Sequence, residues 1–393
     1  MSLANAHALF CGLKAEPSYL ANLDVSDDER GQLMEARREI RMALKAAAAR
    51  IQVTDNYWQE SYRQKVSWRQ RPDIHIKFMT QGSFAYRTLN DPAQKLTQEI
   101  DLDDGMYVPV QFIENGEPAL AAKGLFEFVD AVLKPLCDAR GWTRDPTKAC
   151  CARVKLWQGA HIDIPIYSIP QDRFEQLRES LAKADLHMAT RDSVKGAWKL
   201  PSDKIMLAQR DGSWVQSDPQ MMHDWVEGRA ERYGPSFRRL CRFFKGWRDY
   251  TWEKSTLSSI CLMRAVDMAL TELPGLPNGE RDDELILEVA KRLPSIFEGK
   301  VANPVLFHLC INEWSNEDRG KINEGATALR GEMEAALERT GDAEQVVLKL
   351  RNRFGTRLPY RPDAVKIAPK ISAIQKAPAA VVAAPRIIPS TSG

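Results

Sequence analysis

The chain has 393 residues, 44% of them hydrophobic and ten of them Trp, which is enough for one large or two modest domains with a packed core and too apolar for a disordered chain. Mean hydropathy is −0.40, no apolar run approaches the ~18–20 residues that cross a bilayer, and the opening MSLANAHALFCGLKAEP lacks the basic flank and apolar stretch of a signal peptide, so no membrane partner and a cytoplasmic location are expected. Lys and Arg number 55 against 53 Asp and Glu, a formal charge of +2 that argues against a broad nucleic-acid surface and leaves room only for local phosphate sites.

Ser26-Asp27-Asp28-Glu29 has the form of a capping box, and Leu33, Ala36, Ile40, Leu44, Ala47 and Ile51 follow at helical spacing. A long amphipathic helix is expected there, within an N-terminal segment, 1–60, that packs across the lobes. From about Ile74 to Tyr167 the texture changes to short alternating runs, HIKFMT, EIDLDDGMYVPV, RVKLWQ and HIDIPIYSI, with a helical stretch around Gly124–Asp138 between them. This is a mixed α/β block, assigned to 61–215. From about Asp218 the period is mainly helical, through PSFRRLCRFFKGWRDY, SSICLMRAVDMALTEL and DDELILEVAKRLPSIF, so 216–360 reads as a helical lobe and the whole chain as α+β. The last stretch, with Pro369, Pro378, Pro385 and Pro389, is expected to be a flexible tail over 361–393. The seven cysteines form no CxxC and, with six scattered histidines, no zinc-ligand spacing; they read as reduced thiols.

Three pieces bear on chemistry. Gln81-Gly82-Ser83 ends a strand-like run, where Gly permits close backbone approach and a hydroxyl suits phosphate oxygens, although a Gly-Ser pair is also an ordinary turn. In Asp101-Leu102-Asp103 a strand would send Ile100 and Leu102 into the core and both carboxylates to the other face. Two like charges on one face suit a divalent cation shared with phosphates, whereas Asp104-Gly105 just after them looks like a turn and leaves a solvated loop as the alternative. In His161-Ile162-Asp163-Ile164-Pro165-Ile166 the isoleucines share one face and Asp163 takes the other; His161 lies on the side of Asp163 and reads as a packing partner or support rather than a ligand.

Gly-Ser at a strand end, a DxD strand eighteen residues after Ser83 and a later strand with a single Asp together resemble the polymerase-β-like nucleotidyltransferases. The segments QGSFAYRTLN, QEIDLDDGMYVPV, HIDIPIYSIP, WVQSDPQMMHDW and LCRFFKGWRDYTW followed by SSICLM, from about Thr80 to Met263, further resemble the cGAS/DncV-like nucleotidyltransferases (CD-NTases), in their bacterial cyclic GMP-AMP synthase branch. The resemblance implies a nucleotidyltransferase lobe with a twisted mixed sheet, a helical C-terminal lobe, and an active site in the cleft between them. It implies transfer with two Mg²⁺ ions, Mn²⁺ serving as a substitute, held by Asp101, Asp103 and Asp163. Ser83 and the Gly82 backbone would hold the outer phosphates of the donor. Gln81 and Tyr86 match pocket positions, with Tyr86 stacking on a base; Ser217 and Asp218 match contacts to a base edge. Arg153 matches a guanine-reading arginine, with one residue fewer between it and Asp163 than in relatives. Lys245 matches a lysine that reaches the triphosphate, although its helix, with Arg238 and Arg242 beside it, reads equally as a solvated basic face. Ser258 or Ser259 would contact phosphate or cap a helix.

The activity so implied is synthesis of a 3′,3′-linked cyclic dinucleotide from ATP and GTP in bacterial anti-phage (CBASS) signalling, without a nucleic-acid activator. The product would act on a separate effector. Alternatives are a cyclase making cyclic di-AMP or a cyclic trinucleotide, a template-free enzyme making linear oligonucleotides, and a nucleotide-sensing scaffold with a dead site. The resemblance also raises conjugation of the C-terminal Gly393 by an E1/E2-like partner, against a terminus that does nothing. On that reading, deletion after about Arg361 spares synthesis.

Overall fold

The computed structural model describes residues 2–12, 16–51, 57–58, 76–110, 121–170, 205–217, 219–273 and 281–368. The capping box forms as expected: Ser26 Oγ accepts from the Glu29 N–H, the Glu29 carboxylate accepts from the Ser26 N–H, and helix α1 runs over Asp27–Ala48. Its buried stripe of Leu33, Ala36, Ile40, Leu44 and Ala48 packs on helix α2, Ala122–Arg140, and on the sheet.

The described sheet is built around β3, Ile100–Val110. Strand β2, Lys77–Thr80, pairs with it antiparallel. Parallel to it run β6, Ala160–Ile164, along its first half and β7, Ile166–Pro170, along its second, in one continuing register. HIDIPIYSI is therefore two strands parted at Pro165, whose missing N–H cannot join a ladder while its carbonyl accepts from Met106 N at 2.9 Å. Outside these lie β4, Thr143–Asp145, β5, Ala152–Trp157, β8, Met206–Ala208, and β9, Trp214–Gln216. The turn suggested by Asp104-Gly105 does not occur. β3 runs straight through, and fully buried Asp104 is gripped by Arg41 of α1 through two hydrogen bonds of 2.6 and 2.5 Å.

The second lobe packs helices α3, Pro219–Tyr233, α4, Ser236–Thr251, α5, Ser259–Thr271, α6, Asp282–Glu298, α7, Asn316–Glu334, and α8, Ala343–Phe354, around a separate apolar cluster. The N-terminal residues before α1 join that cluster, where Phe10 and Tyr19 meet Phe243 and Phe354 at ring-centroid distances of 5.2–5.9 Å. The N-terminal segment thus touches both lobes. The basic side of α4 is not a solvated face. Arg238 donates to Tyr86 O (3.0 Å), Arg242 to Asn90 Oδ1 (2.9 Å) and Lys245 to Thr88 O (2.7 Å), lacing the helix to the stretch that follows β2.

Residues 361–368, assigned to the flexible tail, are instead packed into the fold. Strand β10, Lys366–Ile367, pairs antiparallel with β1, Ala4–Asn5, and Ala368 N donates to Leu3 O at 2.7 Å; residues 369–393, and with them Gly393, lie outside the described residues. No described helix is long and apolar enough to cross a membrane.

Candidate active site

Alternation along β3 buries Ile100 and Leu102 and sends Glu99, Asp101, Asp103, Gly105 and Tyr107 to the opposite side. On β6 the same period buries Ile162 and Ile164 in the core and turns His161 and Asp163 the other way. The parallel register then sets Asp101 beside His161 and Asp103 beside Asp163. Donor atoms of Asp101, His161 and Asp163 lie within 4.8 Å of one another. His161, expected as support, stands among them. Its Nδ1 lies 2.7 Å from Glu99 Oε2, and its Nε2 lies 2.9 Å from Asp101 Oδ1.

Asp103 completes the acidic floor from the side of Gly82. A Cβ on Gly82 would stand 1.8 Å from Asp103 Oδ2, and Gly82 has φ +60°, so the position excludes a side chain both sterically and conformationally. Gly105 has the same function one step along: a Cβ there would lie 2.3 Å from Gln81 Nε2. Gln81 is buried and committed, donating to Tyr107 OH (2.8 Å) and accepting from Tyr167 OH (3.1 Å), with the two tyrosine rings stacked at 4.8 Å. It braces the turn that carries Gly82 and Ser83.

The electrostatics are those of a site with too much negative charge. Burial raises the Asp103 carboxyl well above its ordinary value, and the charges of Asp101 and Asp163 raise it further. Burial also acts on Asp101, but the facing His161 outweighs it and holds that carboxyl low. Oxygen-rich and crowded, with donor atoms of Asp101, His161 and Asp163 converging within 4.8 Å, these residues fit a divalent cation.

Arg153, expected to read a guanine, is engaged with Asp163. It sits directly across from Asp163 in the β5–β6 ladder and forks onto its carboxylate with two hydrogen bonds of 2.6 Å.

Above the floor, a cleft of about 550 Å³ opens between the lobes, lined by Gly82, Ser83, Tyr86, Asp101, Asp103, Arg153, Lys245, Ser258 and Ser259. Lys245 is buried, and burial drives its ammonium down to about 8. Ser258 caps α5, its Oγ accepting from Cys261 N, while Ser259 Oγ accepts from Arg248. A neighbouring cavity of about 340 Å³ reaches Gln81, Tyr86, Asp163 and Ser217. Asp218 lies outside the described residues. Sequence reasoning missed Glu99, Arg248 and the Tyr107–Tyr167 clamp. Glu99 and Tyr107 continue the odd-numbered face of Asp101 and Asp103, and Tyr167 that of His161 and Asp163, so the period held that signal; Arg248 carried none.

Residues 76–167 match the family model described as the nucleotidyltransferase domain of cyclic GMP-AMP synthase DncV-like proteins, and residues 234–366 match that of the cyclic GMP-AMP synthase C-terminal domain. A cyclic GMP-AMP synthase from Escherichia coli is 35% identical over 302 residues, covering 72% of this chain and 68% of the relative. One from Vibrio cholerae is 37% identical over 249 residues, 58% of this chain and 54% of the relative. Among solved structures, a mutant of the Vibrio cholerae di-nucleotide cyclase DncV in complex with ATP and GTP superposes with a TM-score of 0.77 at 26% identity, covering 94% of this chain and all of that one. DncV with the linear intermediate 5′ pppA(3′,5′)pG gives 0.76 at 25% identity, with the same coverage. The acidic floor, the two-lobed fold and these matches lead to one conclusion: the chain belongs to the DncV-like family of nucleotidyltransferases.

Proposed function

We propose that the chain joins ATP and GTP into 3′,3′-linked cyclic GMP-AMP by two successive Mg²⁺-dependent nucleotidyl transfers, releasing pyrophosphate each time, as a signal in bacterial anti-phage defence (CBASS). The observation that carries this reading is the parallel register that brings Asp101, Asp103 and Asp163 together at the bottom of an interlobe cleft. Relatives named cyclic GMP-AMP synthase, and DncV structures holding ATP with GTP or a linear intermediate, support the product.

When bound, the divalent cations neutralise charge at the reacting phosphate and lower the cost of ionising the 3′-hydroxyl. Asp101, Asp103 and Asp163 would hold them, with Glu99 and His161 fixing the direction of Asp101. Ser83 Oγ and the Gly82 backbone face the donor's outer phosphates, and Lys245 answers their charge from the opposite lobe. Tyr86 offers a ring to a base, while Ser217, Asp218 and a released Arg153 read base edges. After the first transfer the linear dinucleotide turns around, so that its own triphosphate becomes the donor. The enzyme would act in the cytoplasm without a nucleic-acid activator, and its product would act through an effector. Conjugation of Gly393 by an E1/E2-like partner remains part of this reading.

Incubation with Mg²⁺ and each pair of labelled nucleotides, followed by phosphatase, tests it. A phosphatase-resistant product that requires ATP and GTP together and matches a 3′,3′ standard is expected. A product lost to phosphatase, or one formed from ATP alone, overturns it.

A further inference from the structure

Cys150 and Cys151 lie in a bend just before β5, so their side chains do not alternate across a pleat as neighbours in a strand do. Both line the smaller cavity together with Asp163 and Asp103. Cys150 is exposed to the cavity mouth, whereas Cys151 is buried behind it. The buried thiol is within hydrogen-bonding reach of both the Cys150 sulfur and the Asp163 carboxylate. An accessible thiol, a resolving thiol next to it, and a carboxylate of the candidate active site are thus linked in a row. The five other cysteines stand apart from this cavity's lining.

We propose that Cys150–Cys151 is an oxidation site through which a hydroperoxide switches the acidic site off; the consequence for catalysis rests on the function proposed above. The Cys150 sulfur attacks the outer peroxide oxygen and the O–O bond breaks, forming a sulfenic acid while the other oxygen leaves as the alcohol, or as water from hydrogen peroxide. The Cys151 sulfur then displaces the sulfenic oxygen as water, and an S–S bond forms. Overall, two thiols and one hydroperoxide give one disulfide, water and the corresponding alcohol, or two waters when the oxidant is hydrogen peroxide.

Adjacent residues hold their Cα atoms ~3.8 Å apart, below the usual ~4.4–6.8 Å span of a disulfide, so this bond is strained and readily reduced. That suits a switch rather than a staple. Closing it removes the S–H that faces Asp163 and draws the Cys151 sulfur toward Cys150. Asp163 then loses one of its supports and keeps the Arg153 fork.

The test treats the reduced full-length protein with hydrogen peroxide and reads the peptide carrying both residues by mass. A loss of two hydrogens, reversed by dithiothreitol, is expected. Mn²⁺ binding followed by electron paramagnetic resonance should weaken about tenfold on oxidation, in line with the loss of a group supporting a ligand. Pyrophosphate release should fall about as much and recover with reductant. Cys150→Ser and Cys150→Ala, each compared with itself before and after peroxide, should hold both readings constant, while Cys310→Ser should respond like the parent. No disulfide, a disulfide that changes neither reading, or equal loss in the Cys150 variants overturns the proposal. A chain that binds Mn²⁺ but transfers no nucleotide would defeat the proposed function instead, with mass and Mn²⁺ binding still deciding on the thiols.

Discussion

Asp103 and Lys245 show opposite charges held under the same stress. The Asp103 carboxyl is raised in the fold by burial and by its acidic neighbours, so it opposes folding wherever it is ionised, and that cost grows as pH rises above the ordinary carboxylate range. Asp103→Asn should therefore raise the melting temperature in chelator by ~2–4 °C per kcal/mol of repulsion removed, and the advantage should vanish in Mg²⁺. Pyrophosphate release by Asp103→Asn, measured in parallel, should drop on the order of 10³-fold, as expected when several kcal/mol of transition-state stabilisation are lost. Lys245 is the mirror case: burial lowers it to about 8, so the free protein loses this charge as pH rises through that value. Under the proposed function, a bound triphosphate would restore the ammonium. Nucleotide affinity should then fall above about pH 8, by at most about tenfold per pH unit, with proton uptake on binding, both measurable by calorimetry in buffers of differing ionisation enthalpy. Lys245→Met should flatten that pH dependence.

At the level of elements, the acidic site depends on how β3 is anchored. Arg41 of α1 forks onto Asp104, the residue next to Asp103, and its guanidinium is only partly exposed while Asp104 is sealed. Removing Arg41 alone strands a buried carboxylate. Arg41→Ala should cost about 3–5 kcal/mol in denaturant unfolding, and adding Asp104→Asn should recover part of that loss. The turn at Gly82 is a second anchor. Gly82→Ala must displace Asp103, and activity should fall about 100-fold or more with little loss of helical signal by circular dichroism. The basic residues of α4 resemble a solvated stripe in the sequence, and only packing shows that they bind the carbonyls and amide of residues 86–90.

Across the whole molecule, the two termini of the described fold are tied together by the β1–β10 pair, and Val365 is buried beside it. Truncation after 368 should leave synthesis and melting temperature intact. Truncation after 361 should lower the melting temperature, because it removes β10 and the Ala368–Leu3 hydrogen bond. Comparing the two in a thermal melt tests where the fold ends. The same boundary bears on conjugation: truncation after 368 should remove any Gly393 conjugate and leave the enzyme intact.

Local patterns in the chain determined the capping box of α1, the alternation of β3 and β6, and the acidic residues each strand presents, because side-chain periodicity and capping act over a few neighbours. They also carried the resemblance that named the family. What remained hidden were meetings between distant residues. Nothing in DDGMYV marks Asp104 as the buried partner of Arg41, and nothing in RVKLW says that Arg153 spends its fork on Asp163. The clustering of Asp101, His161 and Asp163, the docking of Lys245 on Thr88 and the pairing of Ile367 with Ala4 depend on strand register and lobe packing. Those are set by the burial of the whole core, a property no short window of sequence contains.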